Sequence, residues 1–241
     1  MAKRRKKARI EAMTDQEIHT AFMVERYCDG GRVLDFPCGY GYLSKHLHDE
    51  GCEVESADVA EGIFRFPEMP WKQADLDGAM PYEDEHFDAV CCVAGLEHTE
   101  SAYRTMREFR RILKPGGWAF VQYPNFSTML RRLRFLSSGR LTKHPPKVIP
   151  DSAPKDDRGH IECLSLQQVK SVMATVELDM VHTHFFRHRR KTRFWTFPLW
   201  AIMKTWAALA SERRRREGLA DALSLDVLFG GEVVLVARKP E

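Results

Sequence analysis

The sequence predicts an α/β fold in which a seven-stranded, mostly parallel sheet carries helices on both faces. Short apolar, β-branched runs alternate with longer amphipathic runs over residues 15–125, an order typical of a doubly wound sheet. Two more apolar runs near the C-terminus complete seven strands. At 241 residues the chain is most naturally one domain.

The first half of the chain alternates strand and helix patterns without interruption. In chain order it predicts a helix over 14–28, a strand over 32–36, a helix over 42–51, and strands over 52–59, 71–76 and 86–95. Thr14 or Asp15 can cap the first helix, and two glycines end it. The run HFDAVCCVAG is apolar along its whole length, so it predicts the central strand.

The second half contains longer segments between its strands. In chain order it predicts a helix over 100–113, a turn over 114–117, a strand over 118–124, helices over 126–141 and 164–176, and strands over 179–186 and 231–239. The helix over 126–141 is basic and amphipathic. The last two strands are separated by 187–229, where a hairpin turn would suffice, so we expect a long insertion there.

Charge is distributed unevenly along the chain. Residues 1–10 carry six basic residues and no acid, and 187–216 carry ten against one acid, whereas the remainder has a net charge of −12. We therefore expect a basic flexible tail over 1–13 and a single domain over 14–241. Basic segments of this kind contact phosphate in nucleic acid or lipid headgroups, or are simply solvated.

Cysteine usage and hydropathy restrict the class of protein. The six cysteines show no CxxC and no metal-type histidine spacing, which predicts reduced thiols and no metal site. No apolar run follows the basic N-terminus, and no stretch is long enough to span a bilayer. We expect a cytoplasmic protein, and peripheral contact at the inner face of the membrane stays open as an alternative.

The stretch VLDFPCGYG, residues 33–41, has the composition of a ligand-binding loop. It follows the first strand, where ligands bind in doubly wound sheets. Gly39 and Gly41 let the backbone approach a ligand closely. Asp58 ends the second strand at a distance suited to an acid that accepts from two ribose hydroxyls, so the ligand is a nucleoside.

Two nucleoside cofactors compete for this loop. NAD would require a third glycine at Ser44, and the carboxylate of Asp35 would repel its pyrophosphate. An acid at that position suits a positively charged ligand, such as the ammonium and sulfonium of S-adenosylmethionine. The loop therefore favours S-adenosylmethionine.

Five ordered motifs within residues 15–125 are similar to those of a known family. VLDFPCGYG resembles the first motif, VLDxGCGxG, of the class I S-adenosylmethionine-dependent methyltransferases, and ESADV, ADLDGAMPYEDEHFDAV, GLEHTE and RILKPGGWAFVQYPN follow in register. The likeness is greatest to a bacterial small-molecule branch (methyltransferase type 11-like), including enzymes of ubiquinone and methionine-related pathways. It implies a Rossmann-like seven-stranded methyltransferase sheet whose sixth and seventh strands form an antiparallel pair.

The resemblance also implies which residues bind S-adenosylmethionine. They are Asp35, Gly39, Gly41, Asp58, Asp75, Leu76 and Ala94. The first three surround the methionine part, Asp58 holds the ribose, and Asp75 accepts from the adenine amino group. Pro37 departs from the family's glycine, which removes an N–H and fixes φ near −65°.

Methyl transfer from a sulfonium mainly requires alignment of the acceptor and exclusion of water. A base is needed where the acceptor loses a proton, and Glu97, His98 and His160 are candidates. His98 is the predicted catalytic residue, since it follows the central strand beside the expected methyl group and histidine titrates near neutral pH. Alternatively, His98 packs at the start of the next helix.

The acceptor is not specified by the sequence. We expect a lid-like insertion over 126–160 and the insertion over 187–229 to shape a pocket for a small-molecule, saccharide or lipid-linked acceptor, methylated at oxygen. In the latter an apolar stripe recurs with helical spacing at Trp195, Leu199, Ile202, Trp206 and Leu209. This stripe either covers the domain's own cleft, which is favoured, or contacts anionic membrane through 187–216.

Two other functions stay open at this stage. The chain could bind the cofactor without turnover, as a regulatory or partner-binding module. It could also methylate nucleic acid through its basic segments, although no N-P-P-[YF] motif is present and YPNF is only distantly similar. Nucleic acid is therefore the less favoured partner.

Overall fold

The computed structural model describes residues 12–142, 159–188, 190–209 and 220–241. Its strands are β1 (Arg32–Asp35), β2 (Glu53–Asp58), β3 (Trp71–Gln73), β4 (Phe87–Val93), β5 (Leu113–Pro124), β6 (Asp179–His188) and β7 (Gly230–Arg238). Its α-helices are α1 (Asp15–Tyr27), α2 (Tyr42–Asp49), α3 (Ala102–Ile112), α4 (Met129–Ser138), α5 (Leu166–Thr175), α6 (Arg190–Ala208), α7 (Ala220–Ala222) and α8 (Leu225–Phe229). A 3₁₀ turn, Leu96–His98, follows β4.

The seven strands form one sheet in the order β3-β2-β1-β4-β5-β7-β6. Neighbours from β3 to β5 pair in parallel, and β7 runs antiparallel to both β5 and β6. The predicted fold class, including the antiparallel pair of the last two strands, is thus confirmed. Because β6 is parallel to β5, the carboxyl ends of β1, β2, β4, β5 and β6 all meet at one edge of the sheet.

Apolar side chains cover both faces of the sheet. One buried cluster includes Leu34, Val90 and Phe109, and the other includes Val33, Cys91 and Phe120. Consecutive residues of β1 and β4 thus alternate between the two clusters, as the side-chain period of a strand requires. Residues 89–92 of β4 are almost completely buried, which confirms the central strand that the sequence predicts.

The predicted turn over 114–117 lies within β5 instead. Leu113 already pairs with Phe87, and the register then shifts so that Ala89 faces Trp118. The four intervening residues form an irregular bulge, since φ of Gly116 is positive and the strand resumes directly after it.

The predicted insertions lie only in part within the described residues. Of 126–160, α4 and the segment from Gly159 onward are described, and of 187–229, α6, α7 and α8 are described. The basic tail over 1–13 lies almost entirely outside them. Within the described residues, no helix has the length and apolar content needed to cross a membrane.

The favoured interpretation of the apolar stripe on α6 is wrong for most of its residues. A helix covering the cleft would bury Trp206, yet this side chain is 56% exposed, and Trp195, Ile202 and Leu209 are more exposed still. The face that packs inward is instead the one with Leu199, Trp200 and Met203. The apolar surface of α6 is larger than the area that neighbouring elements cover. Helical spacing alone therefore did not identify the buried face.

Candidate cofactor and acceptor site

The loop after β1 is tied to the end of β2 by its own backbone. The N–H of Cys38 donates to the carbonyl of Ala57 at 2.9 Å, and the N–H of Gly39 donates to Oδ2 of Asp58 at 2.8 Å. Gly39 and Gly41 both have positive φ, which favours glycine. The Phe36–Pro37 peptide bond is cis. The motif therefore forms a fixed loop at the carboxyl edge of the sheet.

The two glycines of this loop have different surroundings. A Cβ added to Gly39 would meet no protein atom within 4 Å, so this residue borders open space. A Cβ added to Gly41 would come within 2.3 Å of the Phe64 ring. Gly41 also caps α2 in a left-handed conformation. Gly39 thus leaves room for a ligand, whereas Gly41 serves the turn and its packing.

Asp35, at the end of β1, is buried. Its Oδ2 accepts a hydrogen bond of 2.6 Å from the Ser44 hydroxyl, in the first turn of α2. Burial raises the pKa of Asp35 to about 8, although the Ser44 hydrogen bond acts in the opposite direction. A positive charge on a ligand would favour the ionised carboxylate, and a second anion would disfavour it.

Asp58, at the end of β2, holds two backbone amides. Its Oδ2 accepts from Gly39, and its Oδ1 accepts from the N–H of Ala60 at 3.0 Å. Each carboxylate oxygen can accept about two hydrogen bonds, so the group keeps capacity for a further donor. Asp58 therefore fixes the loop and also borders the space beside it.

Asp75 and Leu76 follow β3, and Ala94 follows β4. Oδ1 of Asp75 accepts from the N–H of Asp77 at 3.0 Å. The N–H of Ala94 donates to Oε1 of Gln122 at 2.9 Å, and Ala94 has a φ of 50°. Because this amide already donates within the fold, Ala94 would offer a ligand its carbonyl oxygen. The buried Gln122 thus sets the direction of the backbone after β4.

A cavity of about 430 Å³ lies where these loops meet. Six of the seven predicted cofactor residues line it, and Gly41 does not. The lining residues that the sequence predicted for the site are Asp35, Gly39, Asp58, Asp75, Leu76, Ala94 and His98. The sequence did not single out the contribution of α1, whose Thr14, Gln16 and Glu17 also line the cavity. A capping box between Thr14 and Glu17 fixes this end of α1, and the T-x-x-E spacing was its only signal.

Glu97, His98 and His160 form a cluster next to this cavity, and His98 is the member that lines it. The Nδ1 of His98 lies 3.3 Å from the Gly159 carbonyl oxygen, and the His98 and His160 rings are 5.1 Å apart. Each of the three residues offers one ligand atom, and these atoms lie within 4.8 Å of one another. The cluster thus has donor types and spacing that could hold a cation, and the expected absence of a metal stays a prediction.

Burial divides the chemical roles within the cluster. Burial raises the pKa of Glu97 to about 8, and no hydrogen bond from the described residues reaches its Oε2. Glu97 therefore holds its proton over much of the neutral range. Partial burial and the neighbouring His98 lower the pKa of His160, so this ring stays neutral. His160, and not Glu97, is thus ready to accept a proton near neutral pH.

The segment that brings His160 to the cluster is anchored to the turn after β4. The N–H groups of Ile161 and Glu162 both donate to the Glu97 carbonyl, at 2.8 and 3.1 Å. The Glu162 carboxylate accepts from the N–H of Ala102, at the start of α3. These contacts fix the C-terminal end of the predicted lid beside the cavity, while 143–158 lie outside the described residues.

Comparison with known proteins agrees with this geometry. The profile of the family described as "Methyltransferase domain" matches residues 7–183. The ubiquinone biosynthesis O-methyltransferase of Albidiferax ferrireducens is 25% identical over 177 residues, which cover 69% of this chain and 67% of that protein. The demethylmenaquinone methyltransferase of Beutenbergia cavernae is 38% identical over 104 residues, or 41% and 42% of the two chains. The matched stretch is therefore less than half of the second relative.

Solved structures share the fold. A SAM-dependent methyltransferase from Archaeoglobus fulgidus superimposes with a TM-score of 0.58 at 18% identity, covering 92% of this chain and 94% of that one. The Burkholderia thailandensis 1,6-didemethyltoxoflavin-N1-methyltransferase, solved with S-adenosylhomocysteine, gives 0.58 at 11% identity, covering 96% and 81%.

The chain therefore belongs to the methyltransferase domain family and is a class I S-adenosylmethionine-dependent methyltransferase of the bacterial small-molecule type. Its cofactor is S-adenosylmethionine. The cavity suits this cofactor, because open space beside Gly39 adjoins the buried Asp35 carboxyl, which a cationic ligand would satisfy.

Proposed function

We propose that this enzyme methylates a hydroxyl oxygen of a small, largely apolar acceptor. The observation that carries the proposal is the approach of His160 to His98, which lines the cofactor cavity. A hydroxyl must lose its proton when its oxygen gains a methyl group, and an imidazole suits that task near neutral pH. The named activities of the quinone-pathway relatives support an aromatic hydroxyl as the acceptor.

We assign the parts of the cofactor to these loops from the positions of their carboxylates. The Asp58 carboxylate keeps acceptor capacity for the ribose hydroxyls, and Asp75, beside Leu76, accepts from the adenine amino group. Asp35, Gly39 and the Ala94 carbonyl surround the methionine end. Gly41 supports this arrangement from behind, since it does not line the cavity.

The chemistry that we propose divides between cofactor and protein. When bound, S-adenosylmethionine supplies an electrophilic methyl group on a sulfonium, and its displacement leaves a neutral thioether. His98 accepts the proton of the acceptor hydroxyl, while Glu97, protonated at neutral pH, adds no competing negative charge. The segment with His160 and Ile161 excludes water from the mouth of the cavity. Alignment of this kind supplies about 7–11 kcal/mol in favourable cases.

The acceptor pocket is proposed to lie beyond the carboxyl ends of β4 and β5. The buried Phe126 follows β5, and its ring lies 5.8 Å from the His160 ring. The Arg131 guanidinium lies 4.2 Å from the centre of the same Phe126 ring. The buried Phe126 ring thus supports an imidazole and a cation, which suit a flat, electron-rich acceptor such as a phenol or hydroquinone. A long apolar substituent on that acceptor would make it lipid-linked and bring the enzyme to the membrane surface.

The test uses the purified full chain and methyl-labelled S-adenosylmethionine. It is incubated with catechols and hydroquinones that carry short or polyprenyl side chains, and with amine and thiol analogues of the same ring. We expect label in an ether-linked methyl group of a hydroxyl acceptor. Transfer only to nitrogen or sulfur would contradict methylation at oxygen. Fractionated cell extract, with its RNA and DNA, is tested as a further source of acceptors. Tight cofactor binding without methyl transfer to any fraction would instead indicate a non-catalytic binding module.

A further inference from the structure

The outer surface of α4 and α6 is unusually apolar for a protein of this composition. Thirteen large apolar side chains of the described residues are exposed, and eight of them lie on these helices or directly after α6. They are Phe135, Leu136, Phe194, Trp195, Phe197, Ile202, Trp206 and Leu209. Together these eight side chains form the α4/α6 surface. Patches of this kind mark sites that contact a membrane, another protein or a ligand.

The α4/α6 surface does not result from a poorly packed helix. Leu199, Trp200 and Met203 pack with Leu228 and Phe229 in one apolar cluster. The Trp200 indole N–H donates to the Leu223 carbonyl at 3.1 Å. The same cluster includes Met129 and Leu133, so α4 and α6 are held together. One side of α6 is therefore fixed to the protein, while Trp195, 80% exposed, and Leu209, 83% exposed, lie on the other side.

The charge of the two helices is of one sign. Their sequences, MLRRLRFLSS and RKTRFWTFPLWAIMKTWAA, contain seven basic residues and no acid. Two of the seven do not point outward, because Arg132 donates to the Ala222 carbonyl and Arg131 lies over the Phe126 ring. Arg193 is exposed, and Arg134 and Lys204 are half-exposed. Exposed aromatic rings beside cations are typical of helices that lie in the headgroup region of an anionic bilayer.

The position of the surface fits the same partner. The helices α4 and α6 follow the carboxyl ends of β5 and β6, at the edge of the sheet that holds the cofactor cavity. An apolar acceptor leaving a bilayer at this surface would therefore emerge at the same edge of the sheet as the cavity. A second copy of this chain is a poorer partner, because the same face of both copies carries only positive charge.

We propose that the α4/α6 surface docks the enzyme on an anionic phospholipid bilayer. The tryptophans and leucines enter the headgroup boundary, and the basic side chains contact lipid phosphates. The purpose of docking, which is the delivery of an apolar acceptor, rests on the proposed function. Docking itself does not, because it needs neither cofactor nor acceptor.

The test is co-sedimentation of the full chain with phosphatidylcholine vesicles that contain or lack phosphatidylglycerol, at low and high salt. We expect binding that requires the anionic lipid and weakens with salt. Arg193→Gln should weaken it about fivefold. Trp195→Ala should weaken the part that resists salt about tenfold. The matched controls are Arg107→Gln on α3 and Phe22→Ala on α1, both exposed away from this surface, and both should bind like wild type.

Several outcomes would overturn the proposal. Among them are no sedimentation with anionic vesicles at low salt, equal binding to both vesicle types, and equal losses in the control variants. Dimers in sedimentation velocity that Trp195→Ala dissociates, without vesicle binding, would assign the surface to a second copy. Binding of duplex DNA or RNA in preference to vesicles would assign it to nucleic acid. Methyl transfer to a short-chain acceptor is measured separately, so a failure of docking leaves the proposed function intact.

Discussion

The loops at the ends of β1, β2 and β4 contrast with the segments that follow β5 and β6. The former are fixed by hydrogen bonds from backbone amides, such as Cys38 N–H to the Ala57 carbonyl and Gly39 N–H to Oδ2 of Asp58. The latter are helices held by side-chain clusters, with large apolar residues left exposed. Under the proposed function, cofactor binding would depend on a rigid local scaffold, whereas acceptor recognition would depend on additions to it.

The largest effect is expected at the boundary between these two regions. If His98 accepts the acceptor proton, His98→Asn should lower kcat by about 10²–10⁴-fold, while calorimetry finds unchanged cofactor affinity. His48→Asn, at an exposed position of α2, is the matched control and should be silent. A variant with near-normal turnover would show that alignment alone drives the reaction or that another group takes the proton.

A chelator sharpens this test, because Glu97, His98 and His160 could also hold a cation. With His98 as the direct base, EDTA should leave wild-type turnover unchanged. Loss of activity that Mg²⁺ or Zn²⁺ restores would mean that the cluster acts through a metal, and the prediction of no metal would then be wrong.

The next effect is expected inside the cofactor region, at Asp58. Asp58→Ala should weaken S-adenosylmethionine binding by about 1–3 kcal/mol, since the ribose hydroxyls lose an acceptor. It should also lower the melting temperature, because the N–H groups of Gly39 and Ala60 lose their partner. Calorimetry and thermal melts of the variant, with the exposed Asp29→Ala as control, measure both effects. Equal cofactor affinities would rule out the ribose role.

The acceptor region should respond differently on the two sides of α6. Trp200 is half-buried and donates to Leu223, so Trp200→Ala should reduce the free energy of unfolding by about 1–3 kcal/mol. Trp195 is exposed, so Trp195→Ala should change it by about 0.5 kcal/mol or less. Denaturant titration of both variants checks this. Equal losses would mean that the inner and outer faces of α6 are wrongly assigned.

The last test concerns pH and Asp35. Burial raises the pKa of Asp35 to about 8 in the folded chain, above its value in the unfolded chain, so the folded state binds this proton more tightly. Stability is therefore lost as the pH rises from about 4 towards 8, and Asp35→Asn removes this loss. In thermal melts without cofactor, the melting temperature of the variant relative to wild type should increase as the pH rises from about 5 to 8. Parallel curves would contradict a raised pKa.

Most of the fold and of the cofactor loops could be predicted from the sequence, because their signals are local. The alternation of apolar residues identified the strands, and Asp35, Gly39 and Asp58 stand at strand ends that topology places at one edge. Helix and strand ends shifted by a few residues, as at the bulge over 114–117, because bends and register depend on the neighbouring strand.

The partners of the site residues could not be predicted in the same way. The hydroxyl of Ser44 on Asp35, the amide of Gln122 on Ala94 and the approach of His160 to His98 join residues that are distant in the chain. A sequence pattern reports which residues share a face of one element, but not which element of the fold they meet.

The sequence by itself determined the fold class, the class of enzyme and its cofactor, because short motifs and apolar periodicity act over a few residues. Only the tertiary structure decided that His160 meets His98 next to the cavity and which face of α6 is buried. Those outcomes depend on how much apolar area the neighbouring elements can cover. On α6, neighbouring elements cover Leu199, Trp200 and Met203 and leave Trp195 and Leu209 exposed.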